Sequence, residues 1–180
     1  MSFGSSCEPR KETAYEARRR KREESRKTIA ERTDCFDRIV ALCAVRDRSS
    51  TELVERLGKD GYTSAQVEEA LGRSRECGLV DDARFADAFV RGRVSAGKGA
   101  RGIEKSLLEH GIDPLSLEGW PEAYGMSEEE QVERGCDYLR SHPPRAKDAW
   151  AAAYRKLLSR GYSARIASKA CRLWADEALS

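Results

Sequence analysis

One three-residue pattern recurs along the 180-residue chain at a constant spacing, and it limits the folds available to that chain. The glycines of Gly61-Tyr62-Thr63, Gly111-Ile112-Asp113 and Gly161-Tyr162-Ser163 are 50 residues apart in each case. Such a glycine suits the left-handed position at a helix C-terminus, and the residue two places later can cap the next helix. A tight turn between helices at a fixed period predicts a tandem array of similar units.

Apolar residues recur at the helical period along each unit. Phe85 and Phe89 are four residues apart, as are Ile103 and Leu107, so each pair lies on one face of a helix. No alternation of apolar and polar residues is bounded by hairpin turns, so strands are not expected. The predicted fold is all-α, an elongated tandem array of three three-helix repeats. The residues expected in its core include Phe85, Phe89, Ile103, Leu107, Trp150 and Trp174.

The repeats are preceded by a basic leader. The three repeats are predicted to occupy residues 34–81, 82–126 and 127–180. In the second repeat a third helix is expected from Asp113-Pro114, with Gly119 and Pro121 limiting its length. Residues 1–33 contain ten basic and six acidic residues and few apolar ones. This extension is therefore expected to be flexible, either disordered or a fraying helix without an apolar face.

Composition argues against several classes of protein. The sequence has no run of eighteen apolar residues and no apolar segment near Met1, so neither a membrane span nor a secretory signal is expected. Its six cysteines are far apart and form no CxxC, which favours reduced thiols in a cytoplasmic protein. The two histidines, His110 and His142, both lie beside turns, so no metal site or other cofactor is predicted.

Two glycine patterns resemble nucleotide-binding motifs. Residues 97–102 match GxGxxG, but that motif requires a preceding strand, and the preceding residues here favour a helix. Residues 92–98 match GxxxxGK, but Gly99 follows where a Ser or Thr hydroxyl would bind magnesium. Nucleotide binding is therefore not expected.

Charge is strongly segregated along the chain, although the net charge is only +2. Residues 113–137 contain eight acidic residues and one basic residue, whereas 138–172 contain nine basic and one acidic. In the second repeat the basic residues follow the first apolar stripe. This local excess favours a contact surface for phosphates or for an acidic protein groove over an ordinary solvated face.

Several segments also share a specific pattern with one known family. They are GLVDDARFADAFV at 78–90, RGR at 91–93, GKGARGI at 97–103, RDRSSTELVERLGKDGY at 46–62 and KLLSRGYS at 156–163. These segments resemble the RecX family, the regulatory proteins that act on the RecA recombinase. The resemblance implies a non-enzymatic protein that binds the RecA–single-stranded DNA filament and inhibits recombinase, ATPase and coprotease activities. It would thereby affect DNA repair and the SOS response.

The resemblance also indicates which residues bind. The family's basic central segment corresponds to Arg91, Arg93, Lys98, Arg101 and Lys105. Charge alone adds Arg155, Lys156, Arg160, Lys169 and Arg172. The implied partner is the RecA filament, with direct contact to its single-stranded DNA left open, and the protein is expected to be a monomer.

Two alternatives stay open at this point. A helix-turn-helix-like DNA-binding protein would require a recognition helix and a dimer. A helical scaffold that binds only protein would bind without regard to salt or DNA. An enzyme is not expected, because the sequence contains no recognisable pairing of a nucleophile with a base.

Overall fold

The computed structural model describes residues 13–178, without the side chains of residues 24–28, 32 and 178. This range is helical and contains no strand, which confirms the predicted all-α class. Its α-helices are α1 Ala14–Arg32, α2 Cys35–Cys43, α3 Ser50–Asp60, α4 Ser64–Glu76, α5 Asp82–Ser95, α6 Ala100–Glu109, α7 Glu128–Ser141, α8 Ala149–Ser159 and α9 Ala164–Ala178. Two 3₁₀ turns, Pro114–Ser116 and Glu122–Tyr124, lie between α6 and α7. None of the helices in residues 13–178 combines the length and apolar character that crossing a bilayer requires.

Helix α1 forms most of the basic leader. The Thr13 hydroxyl accepts a hydrogen bond from the Glu16 N–H, and the Glu16 carboxylate accepts one from the Thr13 N–H at 2.8 Å. This reciprocal pair is a capping box, which satisfies two N–H groups at the helix start. Side chains over 13–23 are exposed apart from the half-buried Ala17. Residues 14–32 are helical, and residues 1–12 lie outside the described residues, so the flexibility expected for residues 1–33 stays a prediction.

The first compact unit comprises Leu53–Leu79 and the described residues up to Arg46. Helices α2 and α4 pack against each other, and Ile39, Leu53 and Leu57 are fully buried. Asp60 is also buried, and its carboxylate accepts a hydrogen bond from Arg38 at 2.9 Å. The buried charge is therefore paired, as a charged group removed from water must be.

The second compact unit comprises Asp47–Glu52 and the described residues from Val80 onward. One core cluster contains Phe85, Val90, Ile103 and Leu107, and the next is formed where α9 packs against α7 and α8. Residues 47–52 belong here because they bond to the first cluster's helices. The Ser50 N–H donates to the Asp82 carboxylate at 2.7 Å, and the Ser49 hydroxyl lies 3.4 Å from His110 Nδ1.

The predicted core is correct at most positions. Phe85, Ile103 and Leu107 are buried, while Phe89 and Trp174 are half-buried and pack against the clusters. The prediction for Trp150 is wrong, because its side chain is 42% exposed. Trp150 lies one turn before Ala153, the first buried residue of α8, so the core does not extend to the start of that helix.

The third helix predicted for the second repeat is present only as the two 3₁₀ turns. Asp113 caps the first of them, since its carboxylate accepts a hydrogen bond from the Leu115 N–H at 2.9 Å. Continuation as an α-helix is prevented by Gly119, which has a φ of +69°, and by the ring of Pro121. Residues 113–126 therefore link α6 to α7 through short turns.

Candidate functional site

A groove of about 490 Å³ lies in the second unit, where the start of α6 meets the turn between α8 and α9. Ile103, Leu158 and Tyr162 contribute its apolar surface. The cations that line it are Arg93, Lys98, Arg101, Lys105 and Arg160. Four of these belong to the basic central segment and one to the third repeat, so folding brings members of the two predicted sets to one surface.

The groove forms because two backbone segments approach each other without intervening side chains. The Gly99 N–H donates to the Arg160 carbonyl at 3.1 Å, and the Gly102 N–H donates to the Gly161 carbonyl at 3.1 Å. A Cβ atom on Gly99 would lie 2.5 Å from the Gly161 carbonyl oxygen, which is closer than any real contact. The GxGxxG pattern thus serves helix packing here, and it follows helix α5 rather than a strand.

Arg160 is a structural residue of the groove as well as one of its cations. Its Nε donates to the Gly97 carbonyl at 3.1 Å, and its guanidinium also donates to the Ala96 carbonyl. These carbonyls follow α5, where the helix dipole favours positive charge. The same guanidinium lies 4.0 Å from the centre of the Tyr138 ring. Arg160 therefore connects the end of α8 to the segment after α5 and to Tyr138 on α7. These contacts leave its guanidinium less available to an external anion.

The remaining groove cations are available to an external anion. Within residues 13–178, Lys98 and Arg101 have no hydrogen bond or ion pair from their side chains. Arg93 lies 4.8 Å from the centre of the Phe89 ring, a contact that leaves its N–H groups free to donate. Lys105 is 3.9 Å from Glu109, and both side chains are so exposed that this pair contributes little. A polyanion can therefore bind here without first breaking a strong ion pair.

Arg91 lies outside the groove, although the sequence places it beside Arg93. Its Nε donates to both oxygens of Asp87, at 2.9 and 3.1 Å, and its guanidinium lies 5.3 Å from the centre of the Tyr124 ring. The hydrogen bond from Arg91 lowers the pKa of Asp87 below its ordinary value. Arg91 is thus engaged with its own helix and with the turn before α7.

Lys156 and Lys169 are likewise engaged locally. Lys156 Nζ donates to the His142 carbonyl at 2.6 Å, where it neutralises the C-terminal end of α7. Lys169 pairs with Glu128, whose carboxylate also accepts a contact from Arg165 at 2.9 Å. The hydrogen bond from Lys169 has the largest effect on the pKa of Glu128, which it lowers, and the charge of Arg165 lowers it further. Neither lysine lines the groove.

Arg155 on α8 and Arg172 on α9 complete the predicted set. Both side chains are exposed, and neither has an ion pair or side-chain hydrogen bond with another residue in 13–178. Neither lines the groove. They are therefore accessible cations on the third repeat, separate from those of the central segment.

Gln131 has a role in the site that the sequence did not suggest. Its side chain is buried, its Oε1 accepts from the Ala100 N–H at 3.0 Å, and its Nε2 donates to the Met126 carbonyl at 2.8 Å. It thereby caps the helix that carries Arg101 and Lys105. The sequence gives one indication of this role, which is that Gln131 lies next to Val132, a residue of the apolar stripe of α7. A glutamine at such a position is easily taken for a surface residue.

Comparison with known families gives two matches in sequence order. The model of the first three-helix domain of RecX matches residues 35–73, and that of the second three-helix domain matches residues 81–115. Two crystal structures share the fold. RecX from Lactobacillus salivarius is 20% identical, with a TM-score of 0.62, and the match covers 78% of this chain and 94% of that one. A second regulatory protein RecX is 18% identical, with a TM-score of 0.60, over 91% of this chain and 78% of that one.

Curated relatives carry the name regulatory protein RecX. That of Chromohalobacter salexigens is 40% identical over 76 residues, which are 42% of this chain and 50% of the relative. That of Mycolicibacterium smegmatis is 41% identical over 73 residues, 40% of this chain and 39% of the relative. That of Legionella pneumophila is 33% identical over 82 residues, 46% of this chain and 55% of the relative. The chain thus spans about half the length of these relatives, or less.

The domain models and the relatives agree with each other and with the fold. Both models fall on helical segments of the structure, the first on α2–α4 and the second from α5 to the first 3₁₀ turn. The basic central segment lies within the second match. The chain belongs to the RecX family.

Proposed function

We propose that this protein is a non-enzymatic regulator that binds the RecA–single-stranded DNA filament and inhibits RecA. It acts as a monomer in the cytoplasm and lowers the recombinase, ATPase and coprotease activities of the filament. Family membership supports the choice of partner. The observation that carries the proposal is the groove, where Arg93, Lys98, Arg101 and Lys105 line one surface without strong internal partners.

The arrangement of charge supports binding to an extended polyanion. A groove walled by protein concentrates the field of the cations that line it and raises the association rate of an anionic partner. The filament carries the phosphates of its DNA and the acidic side chains of its protein. Since the guanidinium of Arg160 donates to the Gly97 carbonyl, Arg160 contributes more to holding the fold around the groove than to binding the filament.

The first test measures ATP hydrolysis by RecA on single-stranded DNA while the purified protein is titrated in. The wild type is expected to suppress hydrolysis well below one molecule per RecA subunit. A variant with Arg93, Lys98, Arg101 and Lys105 changed to Ala is expected to lose this effect while its circular dichroism stays helical. If the wild type leaves the rate unchanged at every concentration, filament regulation is refuted.

A matched pair of double variants locates the binding surface. Lys98→Ala with Arg101→Ala removes two groove cations, and Arg155→Ala with Arg172→Ala removes two exposed cations of the third repeat outside it. Both variants lose the same charge. The first is expected to raise the concentration needed for inhibition more than the second, and the reverse order would place the contact on α8 and α9 instead.

A further inference from the structure

Helix α8 presents an exposed aromatic face. Trp150 is 42% exposed and Leu158 is 38% exposed, with the half-buried Tyr154 between them. Because these residues follow one another at intervals of four, they lie on one side of the helix. The rings of Trp150 and Tyr154 are stacked, with centroids 5.3 Å apart and planes at 7°. The two parallel rings thus form one aromatic surface, the aromatic step.

The repeat period shows that this position is unusual. One and two periods earlier, Ala100 and Ser50 occupy the corresponding place at the starts of α6 and α3, and both are buried. Their N–H groups donate to Gln131 on α7 and to Asp82 on α5 respectively, which in each case is the first helix of the following repeat. Trp150 has a large aromatic ring where the other two residues are small, and its ring is open to solvent.

The aromatic face is continuous with the basic groove. Leu158 belongs to both, because it also lines the groove with Arg101 and Lys105. Eight residues of α-helix separate Trp150 from Leu158, which places them about 12 Å apart along the axis. That distance matches about three nucleotides at the spacing of a stacked strand. One ligand can therefore contact the groove cations and the aromatic step together.

We propose that Trp150, supported by Tyr154, stacks on an unpaired base of a single-stranded nucleic acid whose phosphates lie against Lys98, Arg101 and Lys105. Proteins that bind single-stranded nucleic acids combine a positively charged groove with exposed aromatic rings. The cations contact the phosphates of the backbone, and the rings stack on the faces of the bases. This assignment deepens the proposed function, because it names the strand within the filament as a direct contact of this face. It requires no RecA, so it can be tested separately.

The test compares two ligands of equal length and charge, oligothymidylate and an abasic oligonucleotide, at low salt and without RecA. Oligothymidylate is expected to quench tryptophan emission and to bind more tightly than the abasic strand. Trp150→Ala is expected to weaken oligothymidylate binding by about 5- to 150-fold and to leave abasic binding unchanged. Trp150→Phe retains a ring, so it is expected to recover most of the affinity, which a change in folding would not do.

Other outcomes overturn the stacking assignment. If the wild type binds both oligonucleotides equally without a change in emission, charge alone explains binding. If neither oligonucleotide binds but an acidic peptide quenches the emission of Trp150, the aromatic face binds protein rather than nucleic acid. Each of these results can coexist with inhibition of RecA ATP hydrolysis, so the failure of this inference is distinct from failure of the proposed function.

Discussion

The Gly102 N–H donates a hydrogen bond to the carbonyl oxygen of Gly161, 59 positions further along the chain, at 3.1 Å. The two glycines touch through their backbones, and a Cβ on Gly102 would lie 2.9 Å from the Gly161 Cα. This contact joins the start of α6 to the turn between α8 and α9, and it sets the width of the groove beside it. Gly111, one period earlier, lies instead against the side chain of Thr51 at the start of α3.

Gly99→Ala is expected to disrupt this junction. The new Cβ would lie 2.5 Å from both the Gly161 carbonyl oxygen and the Tyr162 nitrogen, and these backbone atoms cannot move without shifting the turn. We expect the free energy of unfolding to fall by about 1–3 kcal/mol, as for other overpacked sites. Urea denaturation followed by circular dichroism measures the change.

Gly92→Ala is the matched control for this substitution. Gly92 lies within α5, and a Cβ there would have no heavy atom within 4 Å. Since alanine favours the helix, we expect a gain of about 0.5–1 kcal/mol in the free energy of unfolding. A Gly99→Ala protein as stable as the wild type would show that the two segments are not held in contact in solution.

Gln131→Met is expected to destabilise the second unit through unsatisfied hydrogen bonds. The substitution keeps the volume of the side chain but leaves the Ala100 N–H and the Met126 carbonyl without their partner. An unpaired buried polar group costs about 1–3 kcal/mol in the free energy of unfolding. The midpoint of urea denaturation reports the loss.

The control for this substitution is the exposed neighbour Glu133. Glu133→Gln should alter the free energy of unfolding by no more than about 0.5 kcal/mol. Equal effects of the two variants would contradict the capping role of Gln131.

Local patterns predicted much of the fold because helix signals are short-range. The turns at Gly61, Gly111 and Gly161 lie where the 50-residue spacing puts them, and each glycine has a positive φ. Errors occurred where the outcome depends on distant residues. Trp150 has the apolar spacing of a core residue, but no sequence rule shows that its side chain stays exposed at the start of α8. The grouping of residues 47–52 with the second unit depends likewise on hydrogen bonds to Asp82 and His110.

The site was predictable as a region but not residue by residue. Segregated charge identifies the central segment and the third repeat as basic. It does not reveal that Arg160 reaches the Gly97 carbonyl, 63 positions away, or that Lys169 pairs with Glu128, 41 positions away. Such tertiary partners decide which cations are free for an external anion. The sequence alone therefore treats ten cations as equivalent, although the structure separates them into engaged and available ones.

The cysteines are expected to differ in their reactivity toward iodoacetamide. Burial raises the pKa of Cys35 and of Cys171 to about 11, so at pH 8 hardly any of either thiol is the reactive thiolate. Among the cysteines of residues 13–178, Cys77 is exposed and should be modified first. Peptide mapping of the native protein over time measures each rate. Modification of Cys171 as fast as Cys77 would mean that the core formed by α7, α8 and α9 opens readily.

Stability at acidic pH is expected to depend on Glu128. The hydrogen bond from Lys169, and then the charge of Arg165, lower the pKa of Glu128 in the folded state below the ordinary 4.5. The folded state therefore binds this proton less readily than the unfolded state, so the stabilisation is present above pH 4.5 and is lost as the pH falls through the lowered pKa. Glu128→Gln should reduce the urea midpoint more at pH 6 than at pH 3. Glu129→Gln, an exposed neighbour without an ion pair in residues 13–178, is the control. A deficit of Glu128→Gln that is equal at both pH values would show that the ion pair does not contribute.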